Sequence, residues 1–104
     1  MAVDEEFKDQ VMDLLLPLGD VTEKKMFGGY GIFESGAMFA LMSGRAVYFK
    51  ADDSNRAQYE AMDSGRFGSM PYYRVPDEVL EEEPRLHRLV EESVALAHAA
   101  KKKK

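Results

Sequence analysis

Residues 24–50 read KKMFGGYGIFESGAMFALMSGRAVYFK, a run of short apolar segments separated by turn residues. The segments are Met26-Phe27, Tyr30 to Phe33, Met38 to Met42 and Val47 to Phe49. Each has the length of a strand rather than a helix, and Ser35-Gly36 and Ser43-Gly44 supply the glycine that accepts the positive φ of a tight hairpin turn. The stretch therefore predicts an antiparallel meander.

Upstream of it the periodicity is helical. Phe7, Val11, Leu14, Leu15 and Leu18 recur on one face over residues 4–16, with Asp4 placed as an N-cap and Pro17-Leu18-Gly19 as a stop. Downstream, Asp52, Asp53 or Ser54 can cap a second helix over about residues 54–62, with Ala57, Ala61 and Met62 as its apolar face and Gly65 ending it. Met70 to Val75 is rich in β-forming residues and bracketed by Pro71 and Pro76, which suits an edge strand. Asp77 caps a helical turn at Glu78 to Leu80. Pro84 then opens a last helix carrying Leu86, Leu89, Val90, Val94 and Ala97. Residues 1–100 thus predict a single α+β domain, followed by a flexible lysine tail at 101–104: an antiparallel sheet of four to five strands, helices at both ends and one between.

A chain of 104 residues holds one core, and 45% hydrophobic residues with eleven Phe and Tyr are ample to fold it. The absence of cysteine excludes disulfides, thiolate catalysis and Cys-ligated zinc, and fits a reducing compartment. The opening residues, with Asp4, Glu5 and Glu6, do not read as a signal peptide, and no segment reaches the roughly 18 apolar residues of a membrane span. A soluble cytoplasmic protein is expected. The net charge of −5 conceals an asymmetry: Lys101 to Lys104 carry +4, so the other hundred residues, with ten basic and nineteen acidic side chains, carry −9. Such a body repels phosphate backbones and disfavours direct nucleic-acid binding.

Two ordered signatures resemble a known family. Lys25-Met26-Phe27-Gly28-Gly29-Tyr30-Gly31-Ile32-Phe33 followed by Met38-Phe39-Ala40-Leu41 is similar to the start of the N-terminal domain of the TfoX/Sxy competence regulators, and Ser69-Met70-Pro71-Tyr72-Tyr73-Arg74-Val75-Pro76-Asp77-Glu78-Val79-Leu80 to its second signature. Tyr48 to Asp52 and Asn55-Arg56 fit the elements between, so the resemblance spans about residues 4–98. It implies an α-β-β-β-α-β-β-α order similar to the type III secretion chaperone-like fold. Many relatives have a longer stretch before the second signature, forming most of a hairpin, whereas only Gly65 to Ser69 is available here. The residues accordingly give one strand fewer. The full-length bacterial regulators add a C-terminal helical domain and act on transcription of DNA-uptake genes with a cyclic-AMP-responsive activator. This chain is expected to be the N-terminal domain standing alone.

No catalytic constellation is visible, because no nucleophile, base and orienting group can be placed together; Glu81, Glu82 and Glu83 read as a solvated run. Gly28-Gly29-Tyr30-Gly31 leads from strand to strand and not onto a helix N-terminus, so a bulge or sharp bend is expected there rather than a phosphate loop. His87, Glu91 and His98 share one face of the last helix, but they are too few for a metal site. No cofactor is implied. The expected function is a non-catalytic regulatory module that binds a protein partner, with the transcription machinery and a second copy as the kinds of partner in view. Tyr30, Met70, Tyr72, Tyr73 and Arg74 are its candidate contacts, and Met26, Phe27, Gly28, Gly29, Gly31, Pro71 and Pro76 its structural motif. An exposed edge at Met70 to Val75 is expected to pair with another strand. The alternative is weak nucleic-acid binding by sheet aromatics (Tyr30, Phe33, Tyr48, Tyr72, Tyr73) and the lysine tail, which requires Lys24, Lys25, Arg45, Lys50 and Arg74 to lie beside the rings.

Overall fold

In the computed structural model, which describes residues 4–26 and 28–102, Asp4 caps α1 (Glu5–Leu15) as expected, its carboxylate accepting a hydrogen bond from the Phe7 amide at 3.1 Å. The helix buries Phe7, Val11, Met12 and Leu15 and ends in a single 3-10 turn at Leu16–Leu18, where Pro17 cannot supply a further amide donor.

Five strands follow in an antiparallel sheet of order β1-β2-β3-β4-β5: β1 (Val21–Met26), β2 (Gly29–Glu34), β3 (Ala37–Ser43), β4 (Ala46–Lys50) and β5 (Tyr72–Arg74). The middle helix α2 (Arg56–Ala61) lies between β4 and β5 in the chain, and α3 (Asp77–Leu80) and α4 (Glu83–Lys102) close it. The class, the antiparallel sheet and the helix positions are those expected. The strand distribution is not the α-β-β-β-α-β-β-α order: four strands precede the middle helix and one follows it. Residues 65–69 form only one bridge, Arg66 to Tyr73, before Gly68, at φ 55°, turns the chain. The first strand instead begins at Val21, well before Met26, through Thr22 to Lys25, which are exposed and give no apolar signal.

The turns explain the register. Met26 pairs with Gly29, so Gly28, at φ 71°, lies in a hairpin turn; Phe27 is outside the described residues. Ser43 pairs with Ala46, which places Gly44, at φ 58°, and Arg45 in the next-but-one turn. A Cβ added at Gly44 would meet nothing, so Gly44→Ala isolates the cost of the left-handed backbone. A loss of about 1 kcal/mol is expected in urea denaturation.

The bulge lies not at the glycines but between Ile32 and Phe33 of β2, which pair with Ala40 and Met38 and leave Phe39 as the extra residue. As a result Phe39 and its neighbour Ala40 both enter the core, each fully buried, and Phe39 meets Phe49 at 6.1 Å between ring centroids. Val21, Ile32, Ala37, Ala40, Met42, Val47, Phe49 and Tyr73 are the buried residues of this sheet face, which packs against the helices.

The middle helix is anchored differently from expectation. Ala57 and Ala61 are exposed and Met62 is half-buried; the side chain that α2 buries is Tyr59, whose ring stacks on Tyr73 at 5.7 Å and 27°. Its capping turn is made by Asn55 and Asp52, with the Asp52 amide donating to the Asn55 side chain at 2.8 Å. On α4, Leu86, Leu89, Val90 and Ala97 are buried, and fully buried Ser93 donates to the Lys50 carbonyl at 2.8 Å, tying the helix to β4. The helix continues through Lys102, so the lysine run does not leave the fold at residue 101: Lys101 donates from Nζ to the Gly36 carbonyl at 3.2 Å. Lys103 and Lys104 lie outside the described residues.

Candidate interaction surface

Strand alternation assigns every residue of the sheet to one of two faces. One is the helix-covered face described above. The other carries, in register across the strands, the row Lys24, Gly31, Leu41, Tyr48 and Arg74. A second row contains Thr22, Phe33 and Met38, with Lys50 opposite Tyr72. The described helices bury their apolar residues against the other face, so no helix covers these rows.

This uncovered face is apolar at its centre. Leu41 is only 1% exposed, although it stands outside the cluster that the helices form with the sheet. Gly31 explains part of its burial: a Cβ there would run into the Met26 sulfur and lie 3.2 Å from both the Met38 sulfur and the Phe33 ring. Two thioethers and a phenyl ring therefore fill the place of the missing side chain next to Leu41. On the other flank, Tyr48 meets Phe67 at 5.0 Å and 60°, so the segment before β5 folds over the rim. Met26, Phe33, Met38, Tyr48 and Phe67 all remain half-buried.

Its charges are of one sign. The charged residues at strand positions on this face are Lys24, Lys50 and Arg74. The two strand carboxylates of the protein, Glu23 and Glu34, point to the helix side, Glu23 to Lys8 at 3.1 Å and Glu34 to His98 at 2.8 Å. Lys50 holds its ammonium 5.3 Å from the Tyr72 ring centroid. Tyr72 is 5% exposed; burial pushes its phenol above the ordinary value, and its hydroxyl donates to the Met38 carbonyl at 3.4 Å.

Of the five contacts expected from sequence, Tyr72 and Arg74 lie here. Tyr30 lies on the helix side, donating to the Glu5 carboxylate at 3.0 Å beneath the Lys8 ammonium, and the bond to Glu5 raises its phenol pKa. Tyr73 is in the core, 8% exposed, against Tyr59. Met70 sits half-buried in the loop before β5, its carbonyl accepting from Tyr72 at 2.8 Å and from Arg66 at 3.1 Å. Among the motif residues, Met26, Gly28, Gly29 and Gly31 build the first hairpin and the uncovered face. Pro71 takes the Ala51 amide on its carbonyl at 2.9 Å, and Pro76, rather than the expected Asp77, stands at the N-cap of α3, whose first residue is Asp77.

The expected free edge at Met70 to Val75 is a correction. The chain pairs with itself there: Arg74 donates its amide to the Gly65 carbonyl and Phe67 its amide to the Tyr72 carbonyl, both at 2.9 Å. The open edge is β1, blunted by exposed Glu23, Lys24 and Lys25.

Sequence reasoning missed Leu41 and Met38, and gave Tyr48 and Lys50 only to the nucleic-acid alternative. The available signal was the unbroken apolar run Met38 to Met42, which marks a strand with apolar surroundings on both faces. Arg45, named as a possible partner of the rings, is instead over Phe7 at 5.2 Å, and Lys25 stands opposite Tyr30 on the other face.

His98 is engaged by Glu34, while exposed His87 lines a cleft of about 200 Å³ with Leu18, Glu34, Val90, Glu91 and Val94. Among the described residues, no three His, Cys, Asp or Glu side chains gather to hold a metal ion. The His98 contact holds the Glu34 carboxyl below its ordinary value, with the Asp20 amide and Ser35 hydroxyl helping. A carboxylate so lowered adds stability above its ordinary pKa of about 4.3 and loses it as pH falls through the folded value. His98→Ala is expected to raise the Glu34 midpoint in a carbon-detected NMR titration. It should cost less than about 1 kcal/mol near neutral pH, a difference that shrinks below about pH 4.

Among the described residues no helix is long and apolar enough to cross a membrane. No curated protein matched the sequence. A family model did: the one described as TfoX N-terminal domain matches residues 13–97, from within α1 to the last buried residue of α4. That span takes in the whole sheet and the uncovered face, and the chain belongs to the TfoX N-terminal domain family.

Proposed function

We propose that this domain is a non-catalytic regulatory module of the cytoplasm that acts by binding another protein, and that the uncovered face of its sheet is the docking surface. A single observation carries the reading: half-buried Met, Phe and Tyr side chains gathered around buried Leu41 on a sheet face that none of the described helices covers. Membership in the TfoX N-terminal domain family supports a role of the competence-regulator kind, in which the output is transcription of DNA-uptake genes.

The test is site-specific photo-crosslinking in native cells, with a benzophenone side chain at Tyr48 and, as control, at exposed Asp13 on α1. A discrete protein adduct from position 48 alone is expected. Equal adducts from both positions, or none from 48, would sink the reading.

A second reading has an observation of its own. Phe33, Tyr48 and Tyr72 share a face with Lys24, Lys50 and Arg74, the gathering that weak single-strand nucleic-acid binding needs. It ranks second because Tyr72 is buried beneath Lys50, Phe67 packs on Tyr48, and the body of the chain is strongly acidic. A nuclease-sensitive adduct at position 48 would reverse that ranking.

A further inference from the structure

We infer that the uncovered face receives an acidic amphipathic helix from a partner protein, with apolar side chains seated over Leu41 and carboxylates meeting Lys24 on one side and Lys50 and Arg74 on the other. This rests on the docking-surface reading and adds the chemistry of the occupant.

Charge complementarity selects it. Nineteen carboxylates are spread over the chain, yet none occupies a strand position on this face, and the charged residues there are all cations. Lys24 and Arg74 end one transverse row, four strand spacings or roughly 20 Å apart, wide enough for a helix with its side chains to lie between them. The other side of the same sheet shows how such a face is filled: α4 lays Leu86, Leu89, Val90 and Ala97 across it. Met26 and Met38, with their unbranched thioethers, adapt to the ridges of an incoming helix.

Other occupants fit less well. A second copy docked through this face by a two-fold axis would bring Lys24, Lys50 and Arg74 toward their own equivalents with no carboxylate between. A nucleic-acid strand needs open ring faces, whereas the middle of this face is Leu41 and the rings beside it are half-buried or covered.

The experiment selects phage-displayed random 16-residue peptides on the wild-type domain, with counter-selection on the Lys24→Glu/Arg74→Glu double variant. Both replaced side chains are exposed, and circular dichroism with a melting curve confirms that the variant is folded. Enriched peptides should be net negative with apolar residues spaced i, i+3 or i+4, i+7. The best of them, labelled with fluorescein, should bind about tenfold or more weakly to the double variant in anisotropy, and more weakly as salt rises. A 20-nucleotide oligothymidylate is titrated in parallel.

Peptides of neutral or basic character that are lost with Met38→Lys, a change at a half-buried position whose melting curve confirms folding, would overturn the acidic-helix inference and leave the docking surface standing. Acidic peptides that bind the double variant equally well would also overturn it. If no peptide engages this face, or if the oligonucleotide binds it and is released by the double variant, both the inference and the protein-docking reading fall.

Discussion

Replacing Tyr59 with alanine is expected to cost about 3–5 kcal/mol, a large part of the margin of a domain of ordinary stability. The side chain is fully buried, it is the residue α2 contributes to the core, and its ring lies on Tyr73 of β5. α2 has six residues and makes no side-chain capping hydrogen bond at Asn55, so this ring is its main apolar anchor, beside the Gln58 amide that donates to Glu92 of α4. Its release would also loosen the segment that leads into β5, because the Ser64 amide is bonded to the Tyr59 carbonyl at 3.0 Å. Urea denaturation followed by circular dichroism measures the loss.

Tyr59→Phe separates ring from hydroxyl. The hydroxyl is buried with no hydrogen-bond partner among the described residues, and Ser93 near it gives its own hydrogen to the Lys50 carbonyl. Removing a buried unsatisfied group should leave stability unchanged or raise it by up to about 1 kcal/mol. A loss above that would mean the hydroxyl is bonded in solution. Burial also pushes the Tyr59 phenol well above its ordinary value of about 10. A raised acid favours the protonated folded state, so its contribution is complete below about pH 10 and falls as pH rises beyond, where the unfolded chain releases the proton first. Wild type should therefore lose stability relative to Tyr59→Phe between about pH 10 and 11, by no more than about 1.4 kcal/mol per pH unit from this group.

What could be read from the sequence, and what could not, follows the physics of each signal. α1, α4 and the strands β2 to β4 carry strong periodicity or tight turn residues, and they lie where Phe7, Leu89 or Val47 required. β1 escaped at its start because an edge strand that is mostly exposed needs no apolar alternation, and Thr22-Glu23-Lys24-Lys25 offers none. α2 was placed, but its anchor was misjudged: alanines at helical spacing suggested a thin face, whereas one large ring over Tyr73 fills the site. The bulge at Phe39 left no local mark, since its cause is the pairing of two distant segments. The candidate surface was half legible. Rings and cations were visible as types, but their division between two faces depends on register, which sent Tyr30 and Tyr73 one way and Tyr48 and Tyr72 the other.

Leu41→Ala tests that division most directly. On a sheet face open to water, truncating a leucine should change stability by no more than about 0.5 kcal/mol. Leu41 is instead 1% exposed, between Gly31 and Tyr48, with Met26, Phe33 and Met38 converging beside it. Its truncation removes buried methyl groups and leaves a hollow that the thioethers fill only in part, for an expected loss of about 2–4 kcal/mol. Leu41→Met, which keeps the volume, should cost less than about 1.5 kcal/mol. The pair separates two origins of any docking defect: the methionine variant should bind partner peptides nearly as wild type, whereas the alanine variant should lose both stability and binding. If Leu41→Ala proved neutral in urea denaturation, the packed cluster would not exist in solution. Lys24, Lys50 and Arg74 would then surround no apolar seat, and the case for a docking surface on this face would lose its physical basis.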